Sequence, residues 1–86
     1  MSPEQVALRA PALRARAIAT LGRLRFKELG PIEALEELEQ SFVIKEGCRD
    51  EVKRWLRNIY RHGRVHKDIY QRGLTAIMVY LQVPEE

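Results

Sequence analysis

Two histidines, one cysteine and eleven arginines are the side chains of this chain that offer chemistry beyond bulk charge. His62 and His66 stand four apart, a spacing that lets two imidazoles share a metal ion on an unbroken helix. Gly63 between them argues for a turn, and the one further soft ligand, Cys48, is distant in sequence. Cys48 itself lies between Gly47 and Arg49 at an expected helix start, where a thiolate would be stabilised, but no base accompanies it. A Gly-rich phosphate loop, a Ser-His-Asp set and an activated pair of carboxylates are all missing from the sequence. The expectation is no metal, no cofactor and no catalytic residue. Such a protein works by binding.

The arginines say what it would bind. On a helix, Lys53, Arg54, Arg57 and Arg61 fall on the side opposite Trp55 and Ile59. Arg16 and Arg23 are seven apart and share a second stripe, joined by Arg9 if that helix runs unbroken through Pro11, and by Lys27. Eleven of the 15 basic residues are Arg, the side chain that forks onto phosphate oxygens and stacks on bases. An exposed row of this kind can follow a phosphate backbone, and Tyr60 or Tyr70 beside it could stack on an unpaired base. The competing reading is plain: charge opposite an apolar face is what any solvated helix shows. A standard helix-turn-helix fits poorly. Gly47 as the turn glycine puts Val43 where a small residue belongs and Lys53 where an apolar one does, and Gly63 puts Ile59 at the small position.

Arg57-Asn58-Ile59-Tyr60-Arg61-His62 resembles the Arg-x4-His motif of HEPN ribonucleases, with its frequent polar residue after the Arg. In that family two such motifs meet across a dimer of helical domains and cut RNA without metal. The resemblance implies that His62 acts in proton transfer and that Arg57 holds the phosphate. It covers six residues. Arg61 to His66 fits the same pattern, and the family's motif begins a helix where His62 is expected to end one.

The charge is sorted into blocks. Met1 to Lys27 carries six basic residues against Glu4, Glu28 to Glu46 six glutamates against Lys45, and Gly47 to Arg72 eight basic residues against Asp50, Glu51 and Asp68. A net charge of +3 therefore hides two basic arms around an acidic centre. The acidic segment could lie between the basic helices and neutralise them, or its Glu33, Glu36 and Glu37 could face a protein partner. Asp50–Arg54 and Asp68–Arg72 have the favoured i, i+4 orientation.

The punctuation predicts an all-α bundle of four to five short helices in one domain over residues 1–86. Ser2-Pro3-Glu4-Gln5 opens the first helix, and Pro11 breaks it, kinks it or starts a second that runs to Leu29. Gly30-Pro31 reads as a left-handed cap glycine and a helix start. The next helix places Ile32, Leu35, Leu38 and Phe42 on its apolar side and ends at Gly47. Asp50 caps another, with Val52, Trp55, Leu56, Ile59 and Tyr60 at amphipathic spacing and Gly63 as its stop. The alternative is an α+β fold. Ser41–Lys45 and Thr75–Val83 are β-branched and aromatic enough to form a small two-stranded ribbon at the C-terminal end.

Leu74 to Leu81 is apolar all round a helix. It is either the centre of the bundle or, through Leu74, Ile77, Met78 and Leu81, an interface between two copies. A homo-oligomer is expected. With a single cysteine no disulfide framework exists, and a reducing compartment, the cytoplasm, is the expected location. Residues 5–27 have the Arg- and Ala-rich, acid-free composition of an organellar transit helix, against which Glu4 and the Ser2-Pro3 start count. No apolar run reaches the ~20 residues of a transmembrane segment. The first functional expectation is an accessory or regulatory protein binding DNA or RNA through Arg16, Arg23, Lys53, Arg54, Arg57 and Arg61. The second is a protein-interaction adaptor, and the third a HEPN-like ribonuclease. A membrane-surface role for the basic first helix is a fourth.

Overall fold

The computed structural model describes residues 3–84, with side chains from Pro11 onward. The chain forms α1 (Pro3–Arg25), α2 (Pro31–Ser41), a short strand β1 (Val43–Ile44), α3 (Arg49–His62), α4 (Lys67–Tyr80) and a second short strand β2 (Leu81–Gln82). It is a helical bundle carrying a two-stranded ribbon. The Ser2 cap expected at the start of α1 lies outside the described residues.

Pro11 does not end the first helix, which is continuous over 23 residues. Proline removes one backbone bond and crowds one carbonyl, and here Ala7, Ala10, Ala12 and Ala15 surround it with the best helix formers available. The stop comes at Arg25, four residues before the expected Leu29. Glu28 N–H donates to the Arg23 carbonyl (2.8 Å) and Lys27 N–H to that of Leu24 (3.1 Å), the two bonds of a Schellman motif. The left-handed residue is therefore Lys27 (φ 62°) and not Gly30. Gly30 is extended (φ −81°, ψ 166°) and serves as N-cap of α2, its N–H directed at Glu33 Oε1.

Along α2 the buried residues are Ala34, Leu35 and Leu38, followed by Phe42. Ile32, expected on this face, is 74% exposed. At 100° per residue it points roughly 110° from the stripe that the other four define, and Ala34 takes its place. Gly47 does not end α2, which stops at Ser41. It turns the chain into α3 with φ 82°. Cys48 occupies the N-cap of α3 and Asp50 its first turn, so Asp50 is not the cap.

The ribbon pairs Val43 with Gln82 and Ile44 with Leu81, antiparallel, and Lys45 N–H extends it to the Tyr80 carbonyl (2.8 Å). It lies in both segments expected to carry it but is only two residues long on each side. Thr75 to Tyr80 stay helical because Gly73 and Ile77, one turn apart, are both buried against the bundle. Leu13, Ala17, Leu21 and Leu24 of α1 meet Leu35 and Leu38, Val52, Leu56 and Ile59, and Ile77 in one core. Each fully buried Leu or Ile contributes about 1.5–3 kcal/mol relative to exposure. None of the helices is long and apolar enough to cross a membrane among the described residues.

Candidate nucleic-acid interface

α3 presents the basic row. Val52, Leu56 and Ile59 anchor one side in the core. The register then sets Arg54, Arg57 and Arg61 in solvent on the other, with Lys53 half-buried at the edge. Among the described residues only Arg54 of these four has an ionic partner, Glu51 at 3.1 Å, in place of the expected Asp50. An Asp68–Arg72 bridge does not form among the described residues. The row continues past the helix end. Arg64 and Lys67, in the connection to α4 and the first turn of α4, are exposed as well.

The other basic stripe is differently placed. Arg16 and Arg23 line a groove of about 530 Å³ whose facing wall carries Glu33, Glu36 and Glu37 of α2, and no residue of α3 borders it. Arg23 is ion-paired with Glu37, whose Oε1 also accepts from the hydroxyl of the buried Thr20 (2.8 Å). Glu39 reaches across to Arg49 of α3 (2.9 Å). The acidic helix thus bridges to both basic ones. Glu33 and Glu36 remain in solvent, and Glu37 is turned inward. Position 9 follows the same stripe on the continuous helix, but the Arg9 side chain is not among those described.

Arg57 and His62 of the Arg-x4-His motif are both exposed. Five residues of helix set them roughly 140° apart around α3, and His62 is its last residue. His62 and His66 flank a turn, with His66 N–H donating to the His62 carbonyl (2.9 Å) and His66 serving as N-cap of α4. Among the described residues no three His, Cys, Asp or Glu side chains gather into a set that could hold a metal. Cys48 is half-buried and its side chain makes no capping bond. Val43 lies in a strand, so Gly47 does not follow a helix as the turn glycine of a helix-turn-helix would, and the small position before Gly63 is filled by the buried Ile59.

The surface expected for self-association is only partly at the surface. Ile77 is fully buried in the chain's own core, and Leu81 is engaged in the ribbon. The apolar residue that α4 does present is Val79, 68% exposed, beside the partly covered Leu74 and Met78. With Ile18 of α1 these residues line a shallow groove of about 340 Å³.

Arg25 and Phe26, which the sequence does not single out, form a corner next to the row together with Lys27, which leaves the α1 stripe it was expected to join because it lies past the end of that helix. Arg25 Nε donates to the Gly63 carbonyl (2.7 Å), and its guanidinium lies over the rings of Tyr70 (4.8 Å) and Phe26 (5.0 Å). Lys27 Nζ lies over Tyr60 (5.3 Å). Their signal was the cation–aromatic–cation run itself, but its partners are more than thirty residues away and nothing in the sequence joins them. Scanned against models of known protein families, the chain matches none, and neither the curated proteins nor the solved structures contain a match.

Proposed function

We propose that this protein is a non-enzymatic accessory or regulatory factor that binds nucleic acid through the basic side of α3. The observation that supports this is the row itself. Lys53, Arg54, Arg57 and Arg61 share one side of a helix anchored by its opposite side, and Lys53, Arg57 and Arg61 have no ionic partner among the described residues. Cations held in solvent by a rigid element suit a phosphate backbone, whose affinity comes from counterion release. Arg16 and Arg23 take a lesser part in this reading, because a phosphate approaching them meets the carboxylates of α2.

The test is fluorescence anisotropy with labelled duplex DNA and single-stranded RNA at two salt concentrations. Binding that falls steeply with salt is expected, together with a loss of roughly a hundredfold when Arg54, Arg57 and Arg61 are all changed to Glu. A triple variant that is folded by circular dichroism and binds like the wild type removes this face from consideration. A second reading, self-association through the groove between α1 and α4, is favoured by the exposed Val79 and Ile18. Oligomeric state is its test.

A further inference from the structure

We infer that the corner formed by Arg25, Phe26 and Lys27 against the α3–α4 connection is a stacking platform for an unpaired nucleobase, so that the partner of the α3 row is a single strand. This rests on the nucleic-acid reading of that row and names the class of nucleic acid it takes.

The expected stacking residues, Tyr60 and Tyr70, are both half-buried, and each already has a cation over its ring. Phe26 is different. It directly follows α1, lies outside the hydrophobic core and is 52% exposed. One exposed phenylalanine means little by itself, but this one is fixed in place. The guanidinium beneath it is held by the Gly63 carbonyl and by the Tyr70 ring, so Tyr70, Arg25 and Phe26 form a cation–aromatic stack with Phe26 as its outer member. A base laid on Phe26 would extend that stack without ordering a loose side chain, which removes much of the usual entropic cost of binding.

The corner also joins the phosphate row. Tyr60, under Lys27, sits one helical turn after Arg57 and two residues before the end of α3, beyond which Arg64 follows. From Lys53 to Arg61 the row runs about 12 Å along α3, enough to follow several phosphates of one strand. A strand that follows the row and turns past the end of α3 meets the corner that carries Phe26, which Arg25 ties to Gly63 and Lys27 to Tyr60. In a duplex the base faces are stacked on one another and offer this ring nothing, whereas every base of a single strand has a free π-face.

The experiment is anisotropy at low and near-physiological salt with a labelled single-stranded 12-mer in RNA and DNA forms, the matching duplex and an abasic single strand. Wild type, Phe26→Ala, Phe26→Trp and the triple Glu variant of α3 are compared. Expected are tighter binding to single strands than to duplex and a loss of roughly tenfold to a hundredfold on single strands for Phe26→Ala. Phe26→Trp should keep wild-type affinity, and duplex or abasic strand should not respond to the Ala change. Equal wild-type affinity for duplex and single strand, or an unaltered Phe26→Ala, overturns the platform. If the triple Glu variant still loses binding, the phosphate row survives that outcome. Failure of the wild type to bind any of these at low salt overturns both. Because Phe26 is off the core, its variants should fold as the parent does.

Discussion

A β-carbon at position 73 would stand 2.7 Å from Ile59 Cδ1, 2.8 Å from its Cγ1 and 3.2 Å from Trp55 Cε3. Gly73 is therefore a close approach of α4 to α3, and Ile59 is fully buried with little room to retreat. Two effects oppose each other in Gly73→Ala. Alanine gains about 1 kcal/mol in helix propensity, whereas overpacking a filled core typically costs about 1–3 kcal/mol. The crowding should win, with a net loss of about 1 kcal/mol in urea unfolding. Ile59→Val removes the nearest methyl at a cost of about 0.5–1.5 kcal/mol on its own. If the collision is the cause, the double variant loses less than the sum of the two single ones; strict additivity would show that the contact is not what holds glycine here. Lys27 poses the opposite case, a non-glycine residue in the left-handed region. Its ammonium over Tyr60 gives that position a contact that glycine could not make.

At the scale of the element, α1 is the least expected part of the fold. Its inner half is set by Leu13, Ala17, Leu21 and Leu24, all buried. The turns before Pro11 have to hold against a proline that forfeits a bond to the preceding turn. Pro11→Ala should therefore strengthen that segment by about 1–3 kcal/mol. Backbone amides of residues 5–10 should exchange roughly ten- to a hundredfold more slowly, and far-UV helicity should rise; unchanged exchange there would acquit the proline. The helices of this bundle were legible wherever a local cause fixed them, as with the Val52, Leu56 and Ile59 stripe or the stop at Gly63. What escaped was set at a distance. Ile32 looks apolar-facing until Ala34 fills the core beside it, and α1 ends where Arg25 docks on Gly63. The α3 row was readable from spacing alone because its helix is strongly amphipathic. Phe26 was not, because its exposure and its cation both depend on how α1 meets the α3–α4 connection.

For the molecule as a whole, charge and apolar surface are distributed unevenly. α2 neutralises Arg23 and α3's first residue, Arg49, through exposed pairs worth at most about 1 kcal/mol each. Among the described residues, Arg14 and Arg16 of α1 and a longer run of basic side chains along α3 and into α4 are left without ionic partners. An apolar surface lies elsewhere, on α4 beside α1, where Ile18, Leu74, Met78 and Val79 border one shallow groove and Ala76 and Val79 the next. A second copy seated there would cover Val79 and leave both α3 rows open, doubling the phosphate contacts available to one long strand. Sedimentation equilibrium should then show a concentration-dependent dimer that Val79→Asp reduces to monomer. The same change should weaken binding to a long strand while leaving a 12-mer unaffected, since only the long strand can engage two rows at once. A wild type that stays monomeric up to the highest concentration measured would remove the dimer, and Val79 would be one more exposed side chain on a small helical surface.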